Sequence, residues 1–437
     1  MTENILFEIN DFGAIKEAKL NINKINIIAG NNGSGKSTSS KLLYTFLLAS
    51  SNRGDYLANN SLYNHFKTLI FKVGHNTNLL QNDVEMEELL TLLDTLNRDD
   101  NFFNESLKKN MEILHDIISN SKIVNKEKLF DDLKNIENLI EVNEDQAKKY
   151  FNVTNVLLNS EFNFSELKDY QNAKVHIHGE MNDCDFSNKI NFKKNKIGAE
   201  ISQGYVACLH FEDVVYMESP SIFEVSNSSQ IFGNNKIPYH MKHLTELVEL
   251  EKKSIDVFDE EYYHKIVEFQ NNLNDLIEGK VYYNPQKRDF MFKQDEQEYS
   301  LKNTASGIKQ IGILQILLEN RLLKENSFLF IDEPEVNLHP EWQIKFAEIL
   351  ILMVKDLNIH MYINSHSPQF IEALEVFSGK HGLVDDTVFY LSEKYDDSNY
   401  SFKEIPRIDL RILYDNLSKP YDKIDEIRIE NALNGIY

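Results

Sequence analysis

The sequence predicts an α/β fold: a mixed core sheet flanked by helices, with an antiparallel β subdomain and a helical insertion. Three observations predict it. An apolar run at Ile25, Ile27 and Ile28 leads into Gly30-Asn31-Asn32-Gly33-Ser34-Gly35-Lys36-Ser37, and the residues after Thr38 (Leu42, Leu43, Phe46, Leu47) take helical spacing. A second apolar run, Ser327 to Ile331, ends on Asp332 and Glu333, as a buried parallel strand would. Between them the periodicity is helical over about 52–160 and alternating over about 174–217.

The glycine-rich loop matches G-x-x-x-x-G-K-[ST] in full and lies between a strand and a helix, the setting in which that motif cradles phosphates. Glycines let the backbone wrap an anion without Cβ clashes, and N–H groups at the helix start point at it. A nucleoside triphosphate is the expected ligand, held by Gly30, Asn31, Asn32, Gly33, Ser34, Gly35, Lys36, Ser37 and Thr38. Lys36 is expected to reach the β/γ-phosphates and the Ser37 hydroxyl to meet Mg²⁺.

With 437 residues, 42% of them apolar, the chain can bury a large core, as one large or two to three ordinary domains. No eighteen-residue apolar run and no basic-then-apolar start occur, so neither a membrane span nor a signal peptide is expected. Two cysteines, Cys184 and Cys208, point to a reducing compartment, the cytoplasm, rather than a disulfide framework. The net charge of −23 disfavours polyanionic partners. The densest basic cluster, Lys193, Lys194 and Lys196, reads as a solvated hairpin edge.

In chain order, strands are expected at Ile5–Ile9 and Leu20–Ile28, around a turn at Asp11-Phe12-Gly13. From about 51 to 165 comes the helical insertion. Met86, Leu89, Leu90 and Leu93 share one face, as do Leu107, Met111 and Leu114, and then Leu129, Leu133, Ile136 and Ile140. Core packing is the simplest account of these stripes; a partner-docking groove is the alternative. The segment 166–437 completes the domain begun by 1–50. It opens with strands at Val175–His178, Ile190–Phe192, Ile197–Ile201 and Tyr205–Met217. His176 and His178 share a strand face near Cys184, Cys208 and His210. Without Cys-x-x-Cys or His-x₃-His spacing they read as ordinary half-buried side chains rather than a zinc site. Helices near His240–Lys252 and Glu260–Glu278 precede a hairpin, Lys280–Tyr283 with Phe290–Leu301.

The second half of the site follows. Asp332 and Glu333 reach the C-terminal edge of a sheet, where α/β proteins place ligands. Asp332 is expected to hold Mg²⁺ and Glu333 to polarise the attacking water. A helix Trp342–Leu357 and a strand Ile359–Ile363 lead to Asn364-Ser365-His366-Ser367. His366 is placed to hydrogen-bond a γ-phosphate, or else is a structural histidine. Upstream, Ser306-Gly307 opens a helix carrying Ile311, Leu314, Leu318 and Leu322 on one face. Two phosphate-binding helix starts in one chain are expected if each copy completes its partner's site.

The order of P-loop, Ser-Gly helix, Asp-Glu strand, Asn337-Leu338-His339-Pro340 turn and Ser365-His366 resembles the ABC-type ATPase superfamily, in particular its SMC/RecF/OLD-like branch of AAA family ATPases. The likeness covers about 1–50 and 205–437. It implies an ABC-ATPase head, ATP and Mg²⁺ as ligands, and hydrolysis with Glu333, Lys36 and His366 as catalytic residues. It also implies a head-to-tail homodimer in which Ser306, Gly307, Lys309 and Asn337 meet the partner's nucleotide. Glu218 stands where a metal-binding glutamine is expected, and Ile308 and Lys309 replace a glycine and a glutamine of the usual signature.

Stand-alone ATPases of this branch resemble switches that hold or release a protein effector in antiphage defence or toxin–antitoxin systems. A RecF/SMC-like DNA-repair ATPase is the second reading, although the acidic balance opposes it. A transporter subunit and a non-hydrolysing binder are weaker readings. Only two short helices fit between Glu224 and Asn303, so long coiled-coil arms are not expected. The roughly 70 residues after His366 are too few for an appended TOPRIM nuclease.

Overall fold

The computed structural model describes residues 4–76, 83–121, 123, 126–162, 172–181, 184–193, 196–201, 209–218, 237–249, 260–287 and 289–434. Its central sheet has eleven strands, which fall into a parallel core and an antiparallel wing. The core holds β3 (Ile25–Gly30), β7 (Val214–Met217), β11 (Phe328–Asp332), β12 (His360–Ser365) and β13 (Thr387–Lys394). It runs in the order β13-β3-β12-β11-β7, all parallel. The wing holds β1 (Asn4–Phe12), β2 (Ile15–Ile22), β4 (Lys174–Met181), β5 (Cys184–Lys193) and β6 (Lys196–Ile201), in the order β6-β5-β4-β1-β2. β14 (Tyr400–Glu404) joins the halves, antiparallel to β13 and parallel to β2.

Because β3 has a neighbour on each side and helices over both faces, all six of its residues are buried. Ile25, Ile27 and Ala29 enter one core and Ile28 the other, the two-residue period of a strand. The expected single strand Leu20–Ile28 is two, β2 and β3. Asn26 breaks the run: its side chain accepts from the Asn23 N–H and donates to the Asn23 carbonyl, which makes a local turn. β2 then pairs with β1, and β3 crosses to β12 and β13.

On one face of the core, α1 (Lys36–Ala49) packs directly after the loop. The stretch α2 (Asn52–Asn76), α3 (Asp83–Asp94), α4 (Phe103–Asn120) and α5 (Lys126–Glu144) has a hydrophobic core of its own. Leu107, Met111, Leu114, Leu129, Leu133, Ile136 and Ile140 all lie in it, so these stripes are packing faces. Helix α6 (Gln146–Phe162) ties this insertion to the body through Tyr150, Val153, Leu157 and Leu158.

On the other face lie α7 (Tyr239–Glu249), α8 (Glu260–Ile277), α9 (Ser306–Glu319), α10 (Pro340–Leu357) and α11 (Pro368–Lys380), with α12 (Leu410–Leu433) beyond them. A small antiparallel sheet, β8 (Lys280–Asn284), β9 (Asp289–Gln294) and β10 (Gln297–Ser300), packs against α9. The expected strand Phe290–Leu301 is therefore itself a hairpin. Asp295 turns it with φ +52°, a left-handed conformation that acidic and amide side chains tolerate.

Of the expected strand Tyr205–Met217 only β7 is present; residues 205–208, Cys208 among them, lie outside the described residues. Among the described residues, no helix is long and apolar enough to cross a membrane.

Candidate nucleotide site

The parallel order brings Gly30, Asp332 and Ser365 to one edge of the core. The loop 30–35 caps that edge and α1 begins there. Gly35 holds φ +90° at the N-cap, and a Cβ on it would lie 2.6 Å from Ile15 Cγ1. Glycine is required there by both conformation and contact. The start of α1 has no side-chain cap and no acidic residue in its first turn, so its free N–H groups and dipole stay available to an anion.

Lys36 is 4% exposed, and its Nζ donates to the carbonyls of Gly30 (2.8 Å) and Asn31 (3.0 Å). Burial lowers its pKa, and the charges of Glu333, Asp332 and Glu335 oppose that shift. Loop and carboxylate enclose a cavity of about 180 Å³ lined by Ala14, Asn32 to Thr38 and Glu333. Pockets for drug-sized ligands run to about 300–1,000 Å³, so this smaller polar space suits phosphates. The donors therefore fit a polyphosphate. The oxygens of Ser37, Asp332 and Glu333 are the hard ligands that Mg²⁺ takes.

Asp332 is buried, and both its oxygens are in use. Oδ1 accepts from Asn364 Nδ2 (3.0 Å) and Oδ2 from the Tyr216 hydroxyl (3.3 Å). Asn364 and Tyr216 each also meet Ser40 Oγ of α1, at 2.9 Å. One network thus holds three strand ends against the helix that follows the loop. Glu333 takes φ +52°, donates its N–H to the Asn364 carbonyl (2.9 Å), and turns its side chain into the cavity.

His366 lies between two carboxylates, its Nδ1 being 3.5 Å from Glu333 Oε1 and 3.4 Å from Glu335 Oε1. Glu335 is 4% exposed; its Oε1 accepts from Ser365 Oγ (2.7 Å) and from the N–H groups of His366 (3.0 Å) and Ser367 (3.3 Å). Its Oε2 has no partner, and burial raises its pKa. Nothing in the local sequence pattern marks Glu335 for this part. A β11–β12 pairing that sets Asp332 opposite Asn364 is what gathers these groups.

Gly307 is pressed onto the turn carrying Asn337: a Cβ would meet Leu338 Cδ2 at 2.9 Å and the Asn337 carbonyl at 3.0 Å. Asn337 has φ +64°. Ser306, Gly307 and Asn337 thus form one patch, and none of them lines the loop cavity. Lys309, expected to meet nucleotide, is buried beneath the start of α9.

Glu218, expected at the metal, is tied into a cluster of charged side chains. Its Oε1 takes Lys41 Nζ at 2.9 Å and its Oε2 meets His240 Nε2 at 2.7 Å, while His240 Nδ1 meets Glu161 Oε2 at 2.6 Å. A metal at Glu218 would share oxygens already bonded to Lys41 and His240. Partial burial pushes the Glu218 pKa up, but the His240 bond and the Lys41 charge outweigh it and hold the group at about 2. Its stabilising contribution is therefore full above the ordinary 4.5 and is lost as pH falls from there through about 2. Unfolding midpoints followed with pH should show Glu218→Gln below the wild type at neutral pH, the gap closing across that range. A gap independent of pH would mean that the charge is not what stabilises the cluster.

Solved structures similar to the chain include the SMC head domain from Thermotoga maritima (11% identity, TM-score 0.39, 93% of this chain and 99% of that one). An SMC head bound to the C-terminal winged-helix domain of ScpA is another (10%, 0.44, 92% and 97%). A third is the Pyrococcus furiosus Smc head with an extended coiled coil, bound to the C-terminal domain of ScpA (9%, 0.40, 98% and 100%). No curated protein matches the sequence. The family profile for the AAA ATPase domain matches residues 6–371, taking in the loop, Ser306-Gly307, Asp332-Glu333 and His366, and the chain belongs to that family.

Proposed function

We propose that the chain is an ATP-hydrolysing switch, in which two copies close head-to-tail around ATP and Mg²⁺ and thereby control a partner protein. The observation that carries this reading is the split site. In each protomer the loop cavity is lined by Ala14, Asn32 to Thr38 and Glu333, and the Ser306–Gly307–Asn337 patch of the same protomer contributes nothing to that lining. In the closed dimer that patch meets the nucleotide on the other copy.

Within each site, the α1 N–H groups and Lys36 bind and orient the β/γ-phosphates. Glu333 accepts a proton from the attacking water, and His366 donates to the γ-phosphate. Mg²⁺ held by Ser37 and Asp332 supplies further charge neutralisation when bound. The helical insertion, joined to the body through α6, is the surface proposed for the partner. That partner is an effector of the defence or toxin–antitoxin kind.

The test is the solution mass of Glu333→Gln with and without ATP–Mg²⁺. Doubling only with ATP, abolished by Ser306→Arg, is the expected result. A chain that binds ATP yet stays monomeric would sink the shared-site reading.

A further inference from the structure

Away from the nucleotide site, the wing gathers three metal-ligating side chains from two strands. β1 and β4 pair antiparallel with Glu8 opposite His176, and His178, two residues on, shares the same face. Glu8 Oε2 lies 3.4 Å from His176 Nδ1 and 3.4 Å from His178 Nε2. The two imidazoles stack with centroids 4.2 Å apart and planes 20° from parallel, so their nitrogens reach one carboxylate oxygen side by side. We propose that Glu8, His176 and His178 form a binding site for one divalent transition-metal ion of the zinc class.

The spacing fits a metal better than a hydrogen bond. Ligands at about 2.0–2.1 Å from a tetrahedral ion lie about 3.3–3.4 Å from one another. An N–H···O bond, by contrast, centres near 2.9–3.0 Å. His176 is oriented as a ligand would be: its other nitrogen, Nε2, meets Ser187 Oγ of β5 at 2.9 Å, leaving Nδ1 for the ion. Lys19 Nζ sits 3.8 Å from the other carboxylate oxygen, Oε1, and leaves Oε2 to the histidines.

The three side chains are between 26% and 33% exposed, so water can reach the site as a fourth ligand. Three protein ligands with an open place differ from the closed four-ligand sites that only staple a fold. Two imidazoles with one carboxylate select Zn²⁺, Co²⁺ or Ni²⁺ over Mg²⁺ and Ca²⁺, which take oxygen ligands. An ion here would clamp β4, the first strand after the helical insertion, to β1.

The experiment titrates the full, tag-free chain with Co²⁺, follows the visible absorption of tetrahedral cobalt, and then displaces it with Zn²⁺. One equivalent is expected. Glu8→Gln and His178→Ala should each weaken binding more than about 100-fold, and Ser187→Ala about 10–100-fold, the range for residues that orient a ligand. Asp332→Asn should keep the bands, which separates this site from the nucleotide's magnesium. Should His178→Ala misfold, His178→Gln, closer to histidine in volume, carries the same reading. Bands that survive Glu8→Gln and the His178 variant, or no saturable binding in the wild type, would overturn the proposal.

Discussion

Glu333→Gln is expected to lower ATP turnover about 10²–10⁴-fold, the usual contribution of a positioned general base, with nucleotide affinity little changed. The carboxylate is the acidic side chain lining the loop cavity, and its strained backbone aims it there. Asp332, by contrast, has both oxygens engaged by Asn364 and Tyr216. Glutamine keeps the size of the side chain and removes the lone-pair basicity, so binding through the α1 N–H groups and Lys36 should survive. Steady-state turnover and equilibrium binding, measured on the same preparation, separate the two effects. Unchanged turnover would place the base elsewhere and remove Glu333 from the mechanism.

Glu335→Ala should be the most damaging change to stability around the site. One buried oxygen accepts three donors, from Ser365, His366 and Ser367. Leaving buried donors unpaired costs about 1–3 kcal/mol each, and water can reach His366, so a loss of about 2–4 kcal/mol is expected. Glu335→Gln keeps an acceptor in place and removes a buried charge whose second oxygen is unpartnered. That variant should stay within about 1 kcal/mol of the wild type. Urea unfolding midpoints decide: equal losses for Ala and Gln would show that the charge, and not the acceptor, is what the turn needs.

Much of the site could be read from local sequence. The strand-loop-helix at Ile25 to Leu47 and the strand ending in Asp332-Glu333 announce themselves because spacing and glycine placement are local properties. What could not be read is who stands next to whom. Alternation shows that a strand has an inner face, but not that Asn364 lies beside Asp332 or that Glu8 lies opposite His176. Those depend on register between strands that are separate in the chain. Short-range punctuation was also missed where one side chain made the turn, at Asn26 and at Asp295. Glu218 directly follows β7, yet its partners Lys41 and His240 come from two helices whose docking no periodicity reveals.

The position of β3 sets a schedule for making the protein. Its ladder partners are β12 on one side and β13 on the other, with Ile25 opposite Thr387. At a synthesis rate of about 5–20 residues per second, β13 leaves the ribosome roughly 20–70 s after β3. Throughout that interval the strand that feeds the phosphate loop lacks its long-range neighbours, and such distant pairings form slowly. A nascent chain therefore cannot display a finished phosphate cradle until β13 has been translated, so a copy that stops short of it has no ordered half-site to offer a partner.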